Sequence, residues 1–373
     1  TDNRGFVDHL DIPVDVRSST TLAWASGTGQ QSPVGRPMSL SVKASTQLGS
    51  ISYWVLENAS TGEVLVNDVC ATPCGASTTR TLTFTPTRQG TLNLRLRMGL
   101  QPSPRLERVL TTSVTALPAL NDFSGDGKPD VLARTKSGAM MLYRGNGKGG
   151  WAAPGTTIGT GWQSFSAIVS NGDLDGDFRR DVLGRGHASQ MYLYRGNGMG
   201  GWTGRGEPLS LVLPGYTIVS GLGDFDGDAR TDLVARDTGG RLFLYRGRDG
   251  LSKRTQIGSG WQGFTALFST GDFDGDRRAD VLGRTADGRL VLYRGNGKGG
   301  WAARGKVIGS GWGGFTALTG IGDFDGDRRA DVLARTKSGA LMLYRGNGAG
   351  GWAARGYAVG SGWGGFTAIV GVG

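Results

Sequence analysis

The sequence predicts an all-β protein: a five-bladed β-propeller closed by its own C-terminal strand, preceded by a β-sandwich. Three observations predict it. An acidic turn recurs five times in the last two-thirds of the chain, beginning at Asp122, Asp173, Asp224, Asp272 and Asp323, and a period of about fifty residues is that of a propeller blade. Each repeat holds four short apolar runs separated by turn residues, the pattern of a four-stranded antiparallel sheet. No stretch keeps a 3.6-residue apolar period, so helix should be nearly absent.

The acidic turn comes first in each unit. Its fullest form, GDFDGDRRADVL, runs over 271–282 and again over 322–333, with near-copies from Gly172 and Gly223 and a weaker one, NDFSGDGKPDVL, from Asn121. In the copy at 271–282, Asp272, Asp274 and Asp276 stand at turn positions 1, 3 and 5, the carbonyl of Arg278 at 7 and Asp280 at 9. Oxygen ligands at alternate positions suit Ca²⁺, which takes six to eight of them. Gly275 permits the bend. This is not an EF-hand: the glycine stands at position 4, no Glu occupies position 12, and Val281-Leu282 opens a strand. Asp and Gly also favour turns without any ion. Five copies in register, each gathering carboxylates that repel one another unless a cation joins them, point to metal. In the first copy Ser124 replaces the carboxylate between Asp122 and Asp126, with Lys128 and Asp130 at positions 7 and 9.

A short run ending in Arg follows (VLAR at 332–335), then a polar turn at 336–339, the LMLYRG strand at 341–346, and an NGxGGW loop. A weaker strand and a GWxxF segment lead into FTAI or FTAL. The chain stops at FTAIVGVG (366–373), the segment that elsewhere precedes an acidic turn, whereas the first acidic turn follows only a short link at 117–120. Segment 366–373 is therefore expected to complete the first blade and leave no open sheet edge. The alternative is a seven-bladed propeller with two degenerate blades within 1–120.

The first 120 residues lack all of these motifs. They carry alternating runs at 38–44, 50–56, 62–67, 79–86, 90–98 and 108–116, which read as a seven-strand, immunoglobulin-like sandwich over 34–117 with Trp54 as core anchor. Residues 1–33 read as an irregular lead-in, and 121–373 as the propeller.

At 373 residues the chain can build two cores, and it has no apolar stretch long enough for a membrane span. It begins with Thr, as a processed, secreted protein would. Cys70 and Cys74 with the distant His9 and His187 make a poor zinc set; a local disulfide in an exported protein is expected instead. The net charge is +10, and cations in the acidic turns would raise it, favouring anionic partners such as cell-envelope polymers. The arginines of DVLAR (134, 185, 236, 284, 335) and LYRG (144, 195, 246, 294, 345) are read as partners of nearby carboxylates and carbonyls.

At the acidic turns the sequence resembles the FG-GAP/VCBS repeat family, whose calcium-loop propellers include integrin α-subunit heads and several fungal and bacterial lectins. The resemblance covers 121–373 and implies four to five Ca²⁺ ions. It maps ligands onto Asp173, Asp175, Asp177, Arg179 (carbonyl) and Asp181, and onto Asp224, Asp226, Asp228, Arg230 (carbonyl) and Asp232. It maps them equally onto Asp323, Asp325, Asp327, Arg329 (carbonyl) and Asp331. The Gly-Ala-Pro element of integrin-type repeats is missing, and the Arg- and Gly-rich units look most like secreted actinobacterial VCBS proteins.

The function expected is a secreted, monomeric, non-catalytic carbohydrate- or cell-envelope-binding module with several equivalent sites. The alternative is a protein–protein interaction module, an adhesin or a modulator of a secreted enzyme; nucleic acid is a poorer fit. The NGxGGW tryptophans Trp151, Trp202, Trp301 and Trp352 are taken as ligand contacts over the GWxxF set, Trp162, Trp261, Trp312 and Trp363, because glycines leave them near the surface. Catalysis is not expected: the recurrent acids are committed to metal, and neither GxSxG nor HExxH occurs.

Overall fold

The computed structural model describes residues 20–26, 31–33, 38–46, 50–70, 74–85, 90–101, 107–117, 122–177, 179–228 and 230–372. It divides into two compact units, Thr1–Pro118 and Ala119–Gly373. All regular structure among the described residues is strand or short 3-10 turn. Among the described residues no helix is long and apolar enough to cross a membrane.

In the first unit, Met38–Thr46 alternates strictly between buried and exposed residues, which places Met38, Leu40, Val42 and Ala44 on one face. It sits between Thr20–Ser26 and Ser77–Phe84 in a three-stranded sheet. A five-stranded sheet runs in the order Gln31–Pro33, Glu107–Leu117, Gly90–Gln101, Ser50–Asn58, Val64–Val69. Both sheets contribute to one core around Trp54, which is fully buried with Leu40, Ile51, Leu56, Leu94 and Met98. The described strands of this unit thus form a three-stranded and a five-stranded sheet around a shared core, eight strands where the sequence predicts seven. The supposed lead-in is not irregular throughout: Thr20–Ser26 pairs with Met38–Thr46, and Gln31–Pro33 runs parallel to 115–117. The β-forming run TTLAWAS supplies the first of these strands. Residues 1–19, including His9, lie outside the described residues. Cys70 and Cys74 form a disulfide. Their N–H groups donate to the carbonyls of Ser52 and Ile51, binding that loop to the adjacent strand.

The second unit contains five four-stranded antiparallel sheets. The fifth shows the pattern: Phe315–Gly322, Asp331–Thr336, Leu341–Tyr344 and Tyr357–Gly360 in order. The fourth is Phe264–Gly271, Asp280–Thr285, Leu290–Tyr293 and Lys306–Gly309; the third is Tyr216–Gly223, Asp232–Asp237, Leu242–Tyr245 and Arg254–Gly258. The second is Ala167–Gly172, Asp181–Arg185, Gln190–Tyr194 and Glu207–Val212. The first takes Asp130–Thr135, Met140–Arg144 and Thr156–Gly159 from one end of the unit and Phe366–Gly371 from the other, with Ile369 opposite Ala133.

The run after each acidic turn is buried on both faces, as in Asp331–Ala334; a strand inside a stack of sheets has no solvent face, so it does not alternate. Five hydrophobic clusters fill the spaces between sheets. Each draws on two neighbours, from first with second round to fifth with first, where Val131 and Ala133 meet Leu333 and Leu343. The leading strands approach closely, and a Cβ on Gly371 would overlap the carbonyl oxygen of Gly320.

Candidate metal loops and ligand grooves

Each acidic loop is a nest of carboxylates accepting its own backbone N–H groups. In the fourth sheet, Asp272 Oδ1 accepts from Gly275 (2.7 Å) and Asp276 (3.1 Å), and its Oδ2 from Arg277 (2.8 Å). Asp274 accepts from Asp276 at 3.1 Å, and Asp276 from Arg278 at 3.0 Å. Asp280, at position 9, is fully buried; it accepts from Phe273 and Asp274 on one oxygen and from Gly295 on the other. Gly275 has φ +86°, and a Cβ there would lie 2.6 Å from the Gly348 carbonyl, so only glycine fits.

This geometry brings three carboxylates together in four loops, with ligand atoms within 4.8 Å: Asp173, Asp175 and Asp181; Asp224, Asp226 and Asp232; Asp272, Asp274 and Asp276; Asp323, Asp325 and Asp331. Position 9 therefore joins positions 1 and 3 in three loops, and position 5 does so in the remaining one. Asp177, Asp228 and Asp327 stay outside these trios and accept the N–H groups of Arg179, Arg230 and Arg329, the residues expected to offer carbonyls; Asp276 accepts from Arg278 in the same way and yet joins its trio. In the first loop Asp126 receives the Lys128 N–H in the same way and Asp130 that of Ser124, but Asp122, Asp126 and Asp130 do not converge.

Burial, with the charge of neighbouring carboxylates added to it, pushes Asp181, Asp232, Asp280 and Asp331 up to about 7. Asp130 is pushed up to about 7 in the same way. The LYRG arginines offset part of the negative charge through position 3: Arg195 on Asp175 (2.6 Å), Arg246 on Asp226 (2.7 Å), Arg294 on Asp274 and Arg345 on Asp325 (3.2 Å). Four carboxylates per loop outnumber these cations. An all-oxygen set with surplus negative charge fits a hard divalent ion.

In four of the five sheets an NGxGGW loop docks on the acidic loop of the preceding sheet. Gly299 donates to the Phe225 carbonyl (3.2 Å), Gly350 to Phe273 (3.3 Å), Gly149 to Phe324 (3.0 Å) and Gly200 to Phe123 (3.1 Å). Beside these bonds lie the tryptophans. The two sets, alternatives by sequence, lie against each other: Trp261 stacks on Trp301 at 5.3 Å, Trp312 on Trp352 at 5.2 Å and Trp363 on Trp151 at 5.3 Å, and Trp162 meets Trp202 at 5.3 Å with a tilt of 33°. The GWxxF indoles are buried and the NGxGGW indoles half-buried. Trp301 Nε1 donates to the Ile257 carbonyl of the preceding sheet (2.8 Å), as Trp352 does to Ile308 and Trp151 to Val359. All eight indoles therefore pack between sheets.

Two of them, Trp261 and Trp301, also line a groove. An open cavity of about 410 Å³ between the third and fourth sheets is walled by Trp261, Phe264, Tyr293 and Trp301, with Ser259 and Arg304 at its polar edges. The same aromatics recur as Trp312, Tyr344 and Trp352, as Trp162, Tyr194 and Trp202, and as Trp363, Tyr143 and Trp151. The tyrosines come from LYRG and were missed by sequence reading, although they recur once per unit. The junction of second and third sheets differs. Tyr216 replaces one Trp, and the buried Leu251 follows the shortened loop. Tyr245 donates to the Tyr216 hydroxyl (2.9 Å), while Arg254 bonds that hydroxyl and covers the Phe243 ring.

The DVLAR arginines tie sheets together. Arg284 reaches the carbonyls of Trp312 (3.4 Å) and Phe315 (2.6 Å), Arg236 those of Trp261 and Phe264, Arg134 those of Trp162 and Phe165, and Arg335 those of Trp363 and Phe366. Arg185 bonds the Tyr216 carbonyl at 2.7 Å. His187 sits on an exposed turn.

Fold and site thus define an all-β repeat protein with one acidic loop per four-stranded sheet. The chain belongs to the FG-GAP-like repeat family, which matches residues 122–183, 173–235, 224–283 and 272–334, together more than half its length. No curated protein sequence matches it. Among solved structures it is similar to the BP39L lectin from Burkholderia pseudomallei, with 17% identity, TM-score 0.40, and coverage of 92% of this chain and 99% of that one. It is also similar to AofleA from Arthrobotrys oligospora, with 12% identity, TM-score 0.39, and coverage of 95% and 92%. The SapL1 lectin in complex with alpha methyl fucoside gives 13% identity, TM-score 0.33, and coverage of 72% and 92%. At that distance the likeness assigns no ligand.

Proposed function

We propose that Ala119–Gly373 is a five-bladed propeller, closed by Phe366–Gly371, that binds calcium in its acidic loops and carbohydrate in the grooves between blades. The five sheets, the five clusters that each span two of them, and the pairing of the last strand with the first sheet support the ring. The two sheets around Trp54 support an immunoglobulin-like sandwich beside it in the chain. The disulfide fits a secreted protein.

One observation carries the binding role: the open groove walled by Trp261, Tyr293 and Trp301, with its aromatic wall repeated at four junctions. A pyranose presents an apolar face that an indole can cover, and polar edges that hydrogen-bond at the rim. Four weak grooves on one scaffold gain avidity towards a polymer. Calcium, when bound, would neutralise the converging carboxylates and fix each loop. The Phe carbonyl and ring of that loop hold the glycine loop and indole of the next sheet, so a rigid acidic loop presents a rigid groove. The recurrent acids are engaged by backbone N–H groups and arginines, which supports a non-catalytic role.

A glycan array probed with the full chain in calcium, then with calcium chelated, tests this reading. Binding to a defined set of glycans, weakened by chelation and by Trp301→Ala, is expected. No glycan binding in calcium would overturn it.

A further inference from the structure

Besides the arginines at loop position 7, of which Arg179, Arg278 and Arg329 pair with Asp177, Asp276 and Asp327, three classes of arginine recur in the repeats, and two are largely spent. Four of the five LYRG arginines are ion-paired to loop aspartates, Arg144 donating instead to the Met199 carbonyl, and the DVLAR arginines bond backbone carbonyls between sheets. The third class follows the groove indole by three residues: Arg304 after Trp301, Arg205 after Trp202 and Arg355 after Trp352. These three are exposed and make no ion pair among the described residues. Arg304 lines the groove itself.

The groove's polar inventory is lopsided. Its lining includes no carboxylate and no amide side chain; the polar side chains are Ser259, Tyr293 and Arg304, beside the two indoles, of which Trp301 already donates to the Ile257 carbonyl. Neutral sugars present hydroxyls that donate as well as accept, and a site for them gains from acceptors such as carboxylates. Here the one charged group is a pure donor, with a planar fork that matches a carboxylate or another oxyanion. The junction of Trp151 and Trp363 lacks it, since Pro154 follows Trp151 at the equivalent position.

We propose that the three grooves bearing Arg205, Arg304 and Arg355 bind an anionic saccharide. The pyranose face lies against the half-buried indole and the acidic substituent meets the arginine; the Trp151 groove takes the ring without preference for charge. This rests on the carbohydrate reading above and adds the chemical class. It differs from attraction by the overall positive charge, because it assigns the preference to three side chains.

The test titrates the full chain in calcium, followed by tryptophan fluorescence and calorimetry. The probes are a uronic-acid oligosaccharide, the same oligosaccharide after carboxyl reduction, and a sulfated oligosaccharide of equal length. The native chain should bind the uronate about tenfold tighter than its reduced form, the factor expected when one hydrogen bond to a charged group is lost. The R205Q/R304Q/R355Q variant, with all three changes at exposed positions and its melting temperature checked, should bind both forms with the affinity native chain shows for the reduced one. Sulfated probe binding as tightly as uronate supports an oxyanion in general, and binding like the reduced form supports a carboxylate. Equal affinity of the native chain for uronate and reduced probe overturns the proposal, as does a charge preference kept by the triple variant. If no probe of either charge binds, the carbohydrate reading itself fails and this one falls with it.

Discussion

The ring of Phe225, in the acidic loop of the third sheet, lies edge-on to the indole of Trp301 in the fourth, with centroids 5.2 Å apart and planes at 62°. The same contact joins Phe273 to Trp352, Phe324 to Trp151 and Phe123 to Trp202. Each acidic loop thus has its ring on the indole of the next groove. Chelating calcium should therefore shift and weaken tryptophan emission reversibly, and Phe225→Leu should reduce that response by about a quarter, since one of four contacts is lost. An emission spectrum indifferent to EDTA would break the link between loop and groove.

Calcium should also act on stability. A site filled to about a hundred times its dissociation constant adds roughly 2.7 kcal/mol, and each kcal/mol moves the melting temperature of a domain this size by about 2–4 °C. Asp325→Ala should remove one site and lower the calcium-loaded melt by roughly 5–10 °C on those figures. Without calcium the same variant should melt close to the native chain.

The buried position-9 aspartates set a pH dependence for the metal-free protein. Asp181, Asp232, Asp280 and Asp331 are held near 7 by burial, above their ordinary 3.8. Between these values the folded state binds more protons than the unfolded chain, so stability falls as pH rises through that window. Metal-free protein should melt higher at pH 5 than at pH 7.5. Saturating calcium, which favours the ionised form, should flatten or reverse the slope. A metal-free melt that rises with pH would contradict the burial seen here.

Arg335 in the fifth sheet holds the carbonyls of Trp363 and Phe366, where the chain enters its last strand. Arg335→Ala should cost about 1.5–3 kcal/mol, the range for hydrogen bonds to a charged group. Arg355→Gln, exposed and without an ion pair among the described residues, should stay within about 0.5 kcal/mol. Urea unfolding of the two variants separates them.

Much of this was legible in the sequence because the repeat made the acidic turn and the LYRG strand appear five times. The acidic loops, the buried VL strands and the spare C-terminal segment all follow from a fixed period and simple turn chemistry. What lay beyond reach is contact between distant positions. Trp301 bonds Ile257 at a separation of 44 residues, and Trp151 bonds Val359 across 208, so sequence treated two stacked sets of indoles as rivals. Spacing likewise could not show that Asp331 belongs to the cluster of its loop and Asp327 does not, whereas in the fourth loop Asp276 belongs and Asp280 does not. Thr20–Ser26 was missed for a different reason: a single alternating run becomes a strand only when Met38–Thr46 is there to pair with it.

The most direct measurement is a calorimetric titration of calcium into the metal-free full chain, native and Asp274→Ala. The account predicts four ions for the native chain, one for each converging carboxylate trio, and three for the variant. No saturable binding, or the same stoichiometry in both, would contradict it.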